Sequence, residues 1–176
     1  MSDSIIIKQI TLADVNALSV IALQAYCDHY LHLWHDGGEW YKQKSFSVEQ
    51  LSGELKNTNA KFYLICINND ACGFLKLNID VVLDSYEDIN SLELERIYIA
   101  KFATGRGVGR YSMEFVLGLA KELDKKMIWL KVMDSSADAI SFYKKQGFEI
   151  CGTYHLDFEQ MKEEFRGMYV MKRNIA

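Results

Sequence analysis

The sequence predicts a single mixed α/β domain that spans residues 1–176. Seven short runs rich in β-branched and aromatic residues alternate with four segments of helical hydrophobic spacing, in the order β-α-α-β-β-β-α-β-α-β-β. A chain of 176 residues, 49% hydrophobic and 25% charged, can bury one full core. No internal repeat or low-complexity segment divides the chain, so we expect no second domain.

The first half of the chain predicts a strand, two helices and a hairpin. Residues 5–10 form an apolar β-branched run, and Thr11 with Asp14 makes a capping-box pattern that opens a helix fading near Gly37. The residues Asn-Asn-Asp-Ala at 68–71 separate two β-rich runs and are typical of a hairpin turn. The other predicted elements here are a helix at 47–57, strands at 62–67 and 72–79, and an acidic connection at 80–91.

The second half predicts two strand-to-helix units followed by two more strands. A strand at 92–99 leads through a glycine-rich turn into an amphipathic helix at 108–123. A strand at Met127–Met133 precedes a helix at 137–146, and Gly147 stands where a helix C-terminal cap is expected. The last two predicted strands cover residues 148–154 and 167–172.

The strongest local motif is the glycine-rich loop between the strand at 92–99 and the helix at 108–123. Such a loop exposes backbone N–H groups at a helix start, where the positive end of the helix dipole favours an anion. A phosphate-bearing ligand is therefore expected, and a plain glycine turn is the alternative. The Gly-Lys-Ser/Thr ending of a P-loop is absent, and Arg110 stands where a dinucleotide fingerprint needs its third glycine. The loop consists of Thr104, Gly105, Arg106, Gly107, Val108, Gly109 and Arg110.

Three segments resemble the GNAT family of acetyl-CoA-dependent N-acetyltransferases: LELERIYI at 92–99, TGRGVG at 104–109 and WLKVMDSSADAISFYKKQGF at 129–148. The family's Gln/Arg-x-x-Gly-x-Gly/Ala motif corresponds to residues 104–109. Its later motif, Asn-x-x-Ala-x-x-x-Tyr followed by Gly-Phe, corresponds to Ser136, Ala139, Tyr143, Gly147 and Phe148. Thr104 and Ser136 depart from the usual Gln or Arg and the usual Asn.

The resemblance implies a central, mostly antiparallel twisted sheet of six or seven strands, splayed at the cofactor site and flanked by about four helices. It also implies acetyl-CoA as co-substrate and no metal. Within the family, the segments SLELERIYI and AISFYKKQGF look most like PaiA-type polyamine acetyltransferases, which act on spermidine and spermine. The implied cofactor-binding residues are Ile97, Tyr98, Ile99, Thr104, Gly105, Arg106, Gly107, Val108, Gly109, Arg110, Ser136 and Tyr143.

The implied reaction is direct attack of an amine on the acetyl thioester in a ternary complex. An amine with a pKa of about 10.4 is almost fully protonated at pH 7, so a carboxylate base assists. Glu93 and Glu95 alternate along one strand and should share a face. The resemblance places the base of polyamine-type members at Glu95, which we prefer, and that of protein-lysine-acetylating members at Glu93. Simple ion pairs with Arg96 or a lysine are the alternative for both carboxylates.

The resemblance also assigns the groups that stabilise developing charge. The backbone N–H groups of residues 97–99 would bind the oxyanion, at a bulge where this strand parts from the strand at Met127–Met133. Tyr143 is the candidate general acid for the leaving thiolate. Ordinary packing of Tyr143 beside Phe142 is the alternative.

Charge is unevenly divided along a chain whose net charge is −4. Residues 1–95 contain 14 acidic and 6 basic residues, whereas residues 96–176 contain 10 acidic and 14 basic residues. This division predicts one anionic ligand on the second half and one cationic ligand on the first, with chance surface charge as the alternative. By the resemblance, the cationic ligand would be a small amine such as spermidine. Candidate contacts for this amine, each with a solvated surface position as its alternative, are Asp28, Trp34, Asp36, Glu39, Trp40, Tyr41, Asp84, Glu87 and Asp88.

Other features narrow the class of protein. The four cysteines form no Cys-x-x-Cys pair, and the N-terminal residues lack a signal-peptide pattern, so a cytoplasmic protein is expected. His29, His32 and His35 share three-residue spacing, but the third lies off the face of the first two on a helix, and no further Cys or His ligand is evident beyond Cys27, so no metal is expected. The acidic balance and the lack of a long apolar run predict no nucleic acid or membrane partner, and the resemblance is compatible with a homodimer. Acetylation of a protein N-terminus or lysine, or non-catalytic acyl-CoA sensing, are the alternative functions.

Overall fold

The computed structural model describes all 176 residues, which form one seven-stranded sheet in the order β1-β2-β3-β4-β5-β7-β6 together with five α-helices. The strands are β1 (Ile5–Gln9), β2 (Ala60–Ile67), β3 (Asp70–Asn78), β4 (Ser91–Ile99), β5 (Met127–Met133), β6 (Glu149–His155) and β7 (Gly167–Asn174). The helices are α1 (Val15–Tyr30), α2 (Glu39–Phe46), α3 (Val48–Leu55), α4 (Val108–Glu122) and α5 (Ala137–Lys145).

The sheet is antiparallel except where β4 and β5 run parallel at its centre. Their pairing begins at Ser91 and Met127 and ends at Glu93 and Trp129. Beyond this point β4 continues to Ile99 and β5 to Met133 without pairing to each other. The predicted fold, a mostly antiparallel sheet that splays in the middle, is therefore confirmed.

A β-bulge in β4 lies at the point where the two strands part. Lys76 of β3 pairs with Arg96, whereas the next residue, Leu77, pairs with Leu94, which leaves Glu95 as the extra residue. The bulge was expected at residues 97–99 and is found earlier in the strand. A bulge increases the local twist of a strand, so this one turns the end of β4 away from β5.

The helices cover both faces of the sheet. Burial of each large apolar side chain contributes about 1.5–3 kcal/mol, so both layers stabilise the sheet. The first face is covered by α1, α2 and α3, through a core that includes Leu18, Ile21, Phe46, Leu51, Phe62 and Phe74. The second face is covered by α4 and α5, through a core that includes Ile65, Leu75, Met113, Val116, Leu130 and Tyr143.

The sequence pattern does not predict α2. The segment Glu39–Phe46 has no apolar stripe at helical spacing, so its periodicity resembles that of a loop. Its first turn is stabilised by Asp36, whose carboxylate accepts hydrogen bonds from the N–H groups of Gly38 at 2.9 Å and Trp40 at 2.8 Å. The preceding helix, α1, already ends at Tyr30.

The other elements begin and end within a few residues of the predicted bounds. Asn68 and Asn69 adopt positive φ angles of 50° and 72°, as a tight hairpin turn requires. Gly147 ends α5 with a φ of 86°, and the N–H of Phe148 closes this cap by donating to the carbonyl of Tyr143 at 3.0 Å. None of the helices combines the length and apolar character needed to cross a lipid bilayer.

Candidate active site

The parting of β4 from β5 opens two adjoining cavities. The glycine-loop cavity, about 1000 Å³, is bounded by the loop at 103–110 and the start of α5. The aromatic cavity, about 400 Å³, is bounded by α1, α2, β4, β5 and residues 154–168. The residues that line both cavities are Tyr30, Ile97, Ser136, Ala139 and Tyr143.

The glycine loop presents an uninterrupted set of free backbone donors. The N–H groups from Gly105 to Arg110 donate no hydrogen bond within the protein. Gly105 and Gly107 adopt φ angles of 75° and 81°, a conformation that side chains disfavour. Because α4 starts at Val108, its positive dipole end lies at the same place. Several unpaired N–H groups at a helix start suit a phosphate or pyrophosphate group.

The two arginines of the loop are already paired with carboxylates. The Arg106 guanidinium donates to both oxygens of Asp3, at 2.6 and 2.9 Å. Arg110 pairs with Glu114 one turn further along α4, at 3.0 Å. Thr104 donates its hydroxyl to the carbonyl of Lys101. The donors of the loop that have no partner are therefore its backbone N–H groups, although the resemblance places both arginines among the cofactor-binding residues.

Strand alternation decides which backbone groups of β4 face the glycine-loop cavity. The N–H of Ala100 donates to Cys72 of β3 at 2.7 Å, so the N–H of Tyr98 also faces β3. The N–H groups of Ile97 and Ile99 face the opposite way, and both residues line the cavity. Of the three predicted oxyanion donors, only the N–H groups of Ile97 and Ile99 face the cavity, because the N–H of Tyr98 faces β3.

His29 of α1 fastens the end of β4. Its Nε2 lies 2.9 Å from the carbonyl oxygen of Ile99, and since a carbonyl only accepts, Nε2 carries the proton. His32 packs edge-on against Phe165. His29 and His32, which share the three-residue spacing noted in the sequence, therefore make two separate contacts, one with β4 and one with Phe165.

Tyr143 lies at the junction of the two cavities. It is only 8% exposed, and its ring packs between Phe142 and Phe148. Burial raises the pKa of Tyr143 well above its ordinary range, so its hydroxyl stays protonated at any physiological pH. Ser136 stands at the N-cap position of α5, where its hydroxyl caps no backbone N–H of the helix and lines both cavities.

Aromatic rings form much of the wall of the aromatic cavity. Tyr26 lies within 5.5 Å, centroid to centroid, of Tyr30, Tyr41 and Tyr98, and Trp34 stacks on Tyr41 at 4.7 Å. Of the predicted aromatic contacts, Trp34 and Tyr41 line this cavity, whereas Trp40 packs near Trp34 and does not line it.

Four charged side chains beside the aromatic cavity form a closed network, and two of them, Glu95 and Arg96, also line the cavity. Glu54 of α3 accepts from Arg96 at 3.0 Å and from Lys76 at 3.1 Å. Glu95 accepts from Lys76 at 2.7 Å and from Arg96 at 3.4 Å. The two carboxylates and two cations balance, so Glu95 is committed to ion pairs, as the alternative interpretation of the sequence proposes.

Glu93 has a different environment from Glu95. The Asn78 amide donates to Glu93 at 2.8 Å and to Glu95 at 3.3 Å, so the two carboxylates share one face as predicted. Glu93 forms no ion pair, and its hydrogen-bond partner, the side-chain amide of Asn78, is neutral. Burial raises the pKa of Glu93, although the hydrogen bond from Asn78 opposes the shift.

The acidic residues expected to bind an amine lie elsewhere. Asp28 accepts from the N–H of Lys101 at 2.7 Å, Asp36 caps α2, and Glu39 pairs with Lys42. The acidic connection packs through Leu83 against β5 and β7, with its carboxylates exposed. The predicted acidic contacts that do not line the aromatic cavity are Asp28, Asp36, Glu39, Asp84, Glu87 and Asp88.

Several residues of the aromatic cavity come from elements far apart in the chain and were not predicted from the sequence. Lys44 of α2 and Lys131 of β5 both line it. The connection between β6 and β7 closes one side, held by backbone hydrogen bonds from His35 to Gln160 and from Lys162 to Leu33, each 2.9 Å. No local motif marks these residues.

The match to a family model identifies the class of protein. Residues 22–148 match the Acetyltransferase (GNAT) family, so this chain belongs to that family. An uncharacterized N-acetyltransferase from the pepI 3′ region of Lactobacillus delbrueckii subsp. lactis is 32% identical over 107 residues, which cover 61% of this chain and 62% of that protein. Streptothricin acetyltransferase of Streptomyces lavendulae is 32% identical over 92 residues, or 52% of this chain and 45% of that protein. The chain thus spans about half to three fifths of the length of these relatives.

Solved structures share the fold over nearly the whole chain. PaiA N-acetyltransferase from Thermoplasma acidophilum, solved in complex with coenzyme A, superposes with a TM-score of 0.75 at 20% identity, over 97% of this chain and 99% of that one. Ribosomal-protein-alanine N-acetyltransferase from Brucella melitensis superposes with a TM-score of 0.71 at 21% identity, over 96% and 99%. At this identity the likenesses show the fold alone.

Replacing Glu54 with Gln should destabilise the protein by about 3 kcal/mol at pH 7, because Lys76 and Arg96 lose a buried partner. Burial acts to raise the pKa of Glu54, but Arg96, Gln50 and Lys76 outweigh it and hold the pKa below its usual range. Its stabilisation is therefore present above the ordinary glutamate pKa and lost as the pH falls through the lowered value.

Urea unfolding at several pH values measures this difference, which should shrink toward acid. Glu49→Gln, an exposed position on the same helix, is the control and should change stability by no more than about 0.5 kcal/mol. Equal losses in the two variants would contradict the role of the network.

Proposed function

We propose that this chain is an acetyl-CoA-dependent N-acetyltransferase that acts on a primary amine. The observation that carries the proposal is the junction of the two cavities at Tyr143 and the free edge of β4. One cavity offers backbone donors suited to a pyrophosphate, and the other contains the carboxylate Glu93 among aromatic rings. A reaction between two substrates needs both to be held side by side in this way.

The donor set of the glycine-loop cavity fits coenzyme A. The N–H groups from Gly105 to Arg110 would hold its pyrophosphate, and Ser136 lies where its hydroxyl can bond the pantetheine arm. Acetyl-CoA supplies an acetyl thioester, whose carbon bonds to the amine nitrogen as its bond to sulfur breaks. The N–H groups of Ile97 and Ile99 would stabilise the negative charge that develops on the acetyl oxygen.

Glu93 is the better placed base. An ammonium group loses two protons in this reaction, one of which ends on the leaving sulfur and the other in solvent. Glu93 has a raised pKa and no cationic partner, so it can accept a proton, whereas Glu95 is held between Lys76 and Arg96. The structure thus favours Glu93 over the preference for Glu95 drawn from the sequence.

Tyr143 serves the leaving sulfur as a hydrogen-bond donor. A thiol has an ordinary pKa of about 8.5, far below that of a buried tyrosine, so full proton transfer from Tyr143 is uphill. A hydroxyl that stays protonated can still stabilise a thiolate by donating to it.

The class of amine is a further step of the proposal. The resemblance favours a polyamine such as spermidine as the acceptor. Glu93 and the surrounding aromatic rings can bind one ammonium group of such a molecule. Lys44 and Lys131 also line the cavity and form no ion pair, so further ammonium groups would meet cations there. The same resemblance places the base of protein-lysine-acetylating members at Glu93, so a base at this position favours the alternative of a protein amine. The cavity supports an acceptor with a single amine better than a polycation.

Thermal shift and turnover assays test the proposal. Acetyl-CoA should raise the melting temperature because it binds the folded state alone. Thiol release should then be measured with spermidine, putrescine, simple monoamines and a peptide with a free N-terminus and a lysine. Turnover with any amine supports the proposal. Binding without turnover would indicate an acyl-CoA sensor and contradict it, as would the absence of a thermal shift.

Replacing Glu93 with Gln should lower kcat/KM about a hundredfold near neutral pH, the size expected for a lost general base. Because burial raises the pKa of Glu93, the wild type should lose activity as the pH falls through that raised value. The variant should lack this acid limb in its pH–rate profile.

Glu95→Gln is the matched control for Glu93→Gln. It should keep the acid limb even if its stability falls, since Glu95 serves the ion-pair network. Loss of the limb in Glu95→Gln and its retention in Glu93→Gln would reverse the two assignments.

Replacing Tyr143 with Phe should lower kcat about ten- to a hundredfold, the effect of one hydrogen bond to a charged group, while the dissociation constant of acetyl-CoA stays unchanged, because the lost hydroxyl acts only on the leaving group. Single-turnover kinetics and isothermal titration measure the two quantities. Tyr111→Phe, an exposed position on α4, is the control and should leave both unchanged. Unaltered turnover in the Tyr143 variant would exclude this role.

A further inference from the structure

Two lysines of the aromatic cavity have no carboxylate partner. The Lys131 ammonium lies 3.9 Å from the centroid of the Tyr154 ring, and the Lys44 ammonium lies 4.9 Å from that of Phe158. Neither lysine forms an ion pair with the protein, unlike Lys76 and Lys125. Aromatic faces hold these two cations in place without neutralising them.

The remaining charges of the cavity can be assigned one by one. Arg96 and Glu95 belong to the network with Glu54 and Lys76, which is neutral as a whole. Three unpaired charges are left among the lining residues: the carboxylate of Glu93 and the ammonium groups of Lys44 and Lys131. An occupant of complementary charge therefore carries one cation and at least one anion.

The unpaired charges of opposite sign lie on neighbouring strands. Glu93 of β4 pairs with Trp129 of β5, and Lys131 lies two residues further along β5, on the same face as Trp129. The Lys131 charge also acts to lower the pKa of Glu93, as expected for groups that are close together. A small molecule can thus place its amine at Glu93 and its anion at Lys131.

The lining and the volume of the aromatic cavity indicate the polarity and the size of the rest of the occupant. Of the 24 residues that line it, 17 are hydrophobic, and its volume is about 400 Å³. Pockets of this size take one small organic molecule, so the body of the occupant is compact and apolar or aromatic.

We propose that the acceptor is a small amino acid with an apolar or aromatic side chain, whose amine meets Glu93 and whose carboxylate meets Lys131. This inference rests on the proposed function, because it names the substrate class of that same site. Lys131 is half-buried and binds the carboxylate directly. Lys44 is exposed at the mouth of the cavity and adds a weaker, screened attraction.

A pair of acceptors that share the ring and the amine and differ by one carboxylate tests the proposal. The decisive quantity is the change of their kcat/KM ratio in Lys131→Gln, because the carboxylate also lowers the pKa of the neighbouring amine, by the same amount for both enzymes. Thiol release from acetyl-CoA is measured with phenylalanine and with 2-phenylethylamine. The kcat/KM of the wild type for phenylalanine should exceed that for 2-phenylethylamine by about tenfold or more, the effect of one charge-assisted hydrogen bond. Lys131→Gln should lower this ratio about tenfold, and Lys44→Gln should lower it less. Any effect of either lysine on Glu93 changes kcat/KM for both acceptors by the same factor, because both use the same base. Such an effect therefore cancels in the ratio of the two kcat/KM values.

A binding measurement supports the kinetic one. In the presence of coenzyme A, phenylalanine should raise the melting temperature of the wild type, and it should raise that of Lys131→Gln by less. Lys121→Gln, an exposed lysine of α4 without an ion pair, is the control and should behave as wild type in both assays.

The outcomes separate this inference from the proposed function. Acetylation of 2-phenylethylamine or spermidine in preference to phenylalanine would overturn the inference and leave the N-acetyltransferase proposal intact. A ratio that Lys131→Gln does not change would also overturn it. Binding of acetyl-CoA with no turnover of any amine would overturn the proposed function itself.

Discussion

The architecture of the site depends on a strand pairing that stops early. β4 and β5 are held together only from Ser91 and Met127 to Glu93 and Trp129, after which the bulge at Glu95 directs β4 away. Backbone groups that lose a ladder partner must find another or face a cavity. Ile97 and Ile99 therefore present free N–H groups at the centre of the protein. Both cavities open from the same gap, which explains why the candidate cofactor side and the candidate acceptor side meet there.

The ion-pair network determines which carboxylate remains free for chemistry. Glu54 comes from α3, Lys76 from β3, and Arg96 and Glu95 from β4, so the network fastens a helix to the bulged strand. Buried charges are costly unless they are paired, and the four charges neutralise one another. Because Glu95 is used in this way, only Glu93 on the same face keeps a half-buried carboxylate without an ion-pair partner. The same interactions stabilise the bulge and leave Glu93 as the carboxylate without a cationic partner.

Those parts of the fold that a few neighbouring residues determine could be predicted from the sequence. The hairpin at Asn68 and Asn69 and the helix stop at Gly147 depend on local backbone conformation, and the glycine loop carries its donors within six residues. The bulge at Glu95 and the partners of that carboxylate depend on distances between elements far apart in the chain. The same holds for α2, whose capping residue Asp36 precedes a segment without an apolar stripe. Periodicity detects a buried face, and α2 has too few apolar residues to reveal one.

The charge of a chain segment is a poor guide to the charge of the cavity that it lines. The acidic first half of the chain suggested an amine site, yet most of its carboxylates there are used for capping, for ion pairs or at the surface, as Asp28 and Asp36 illustrate. The basic second half contributes β5, which lies beside β4 and brings Lys131 to the aromatic cavity. A ligand responds to charges that the protein has not already neutralised, within about a Debye length and weighted by burial. By that measure the cavity offers one carboxylate and two ammonium groups, so a molecule with charges of both signs matches it better than a polycation.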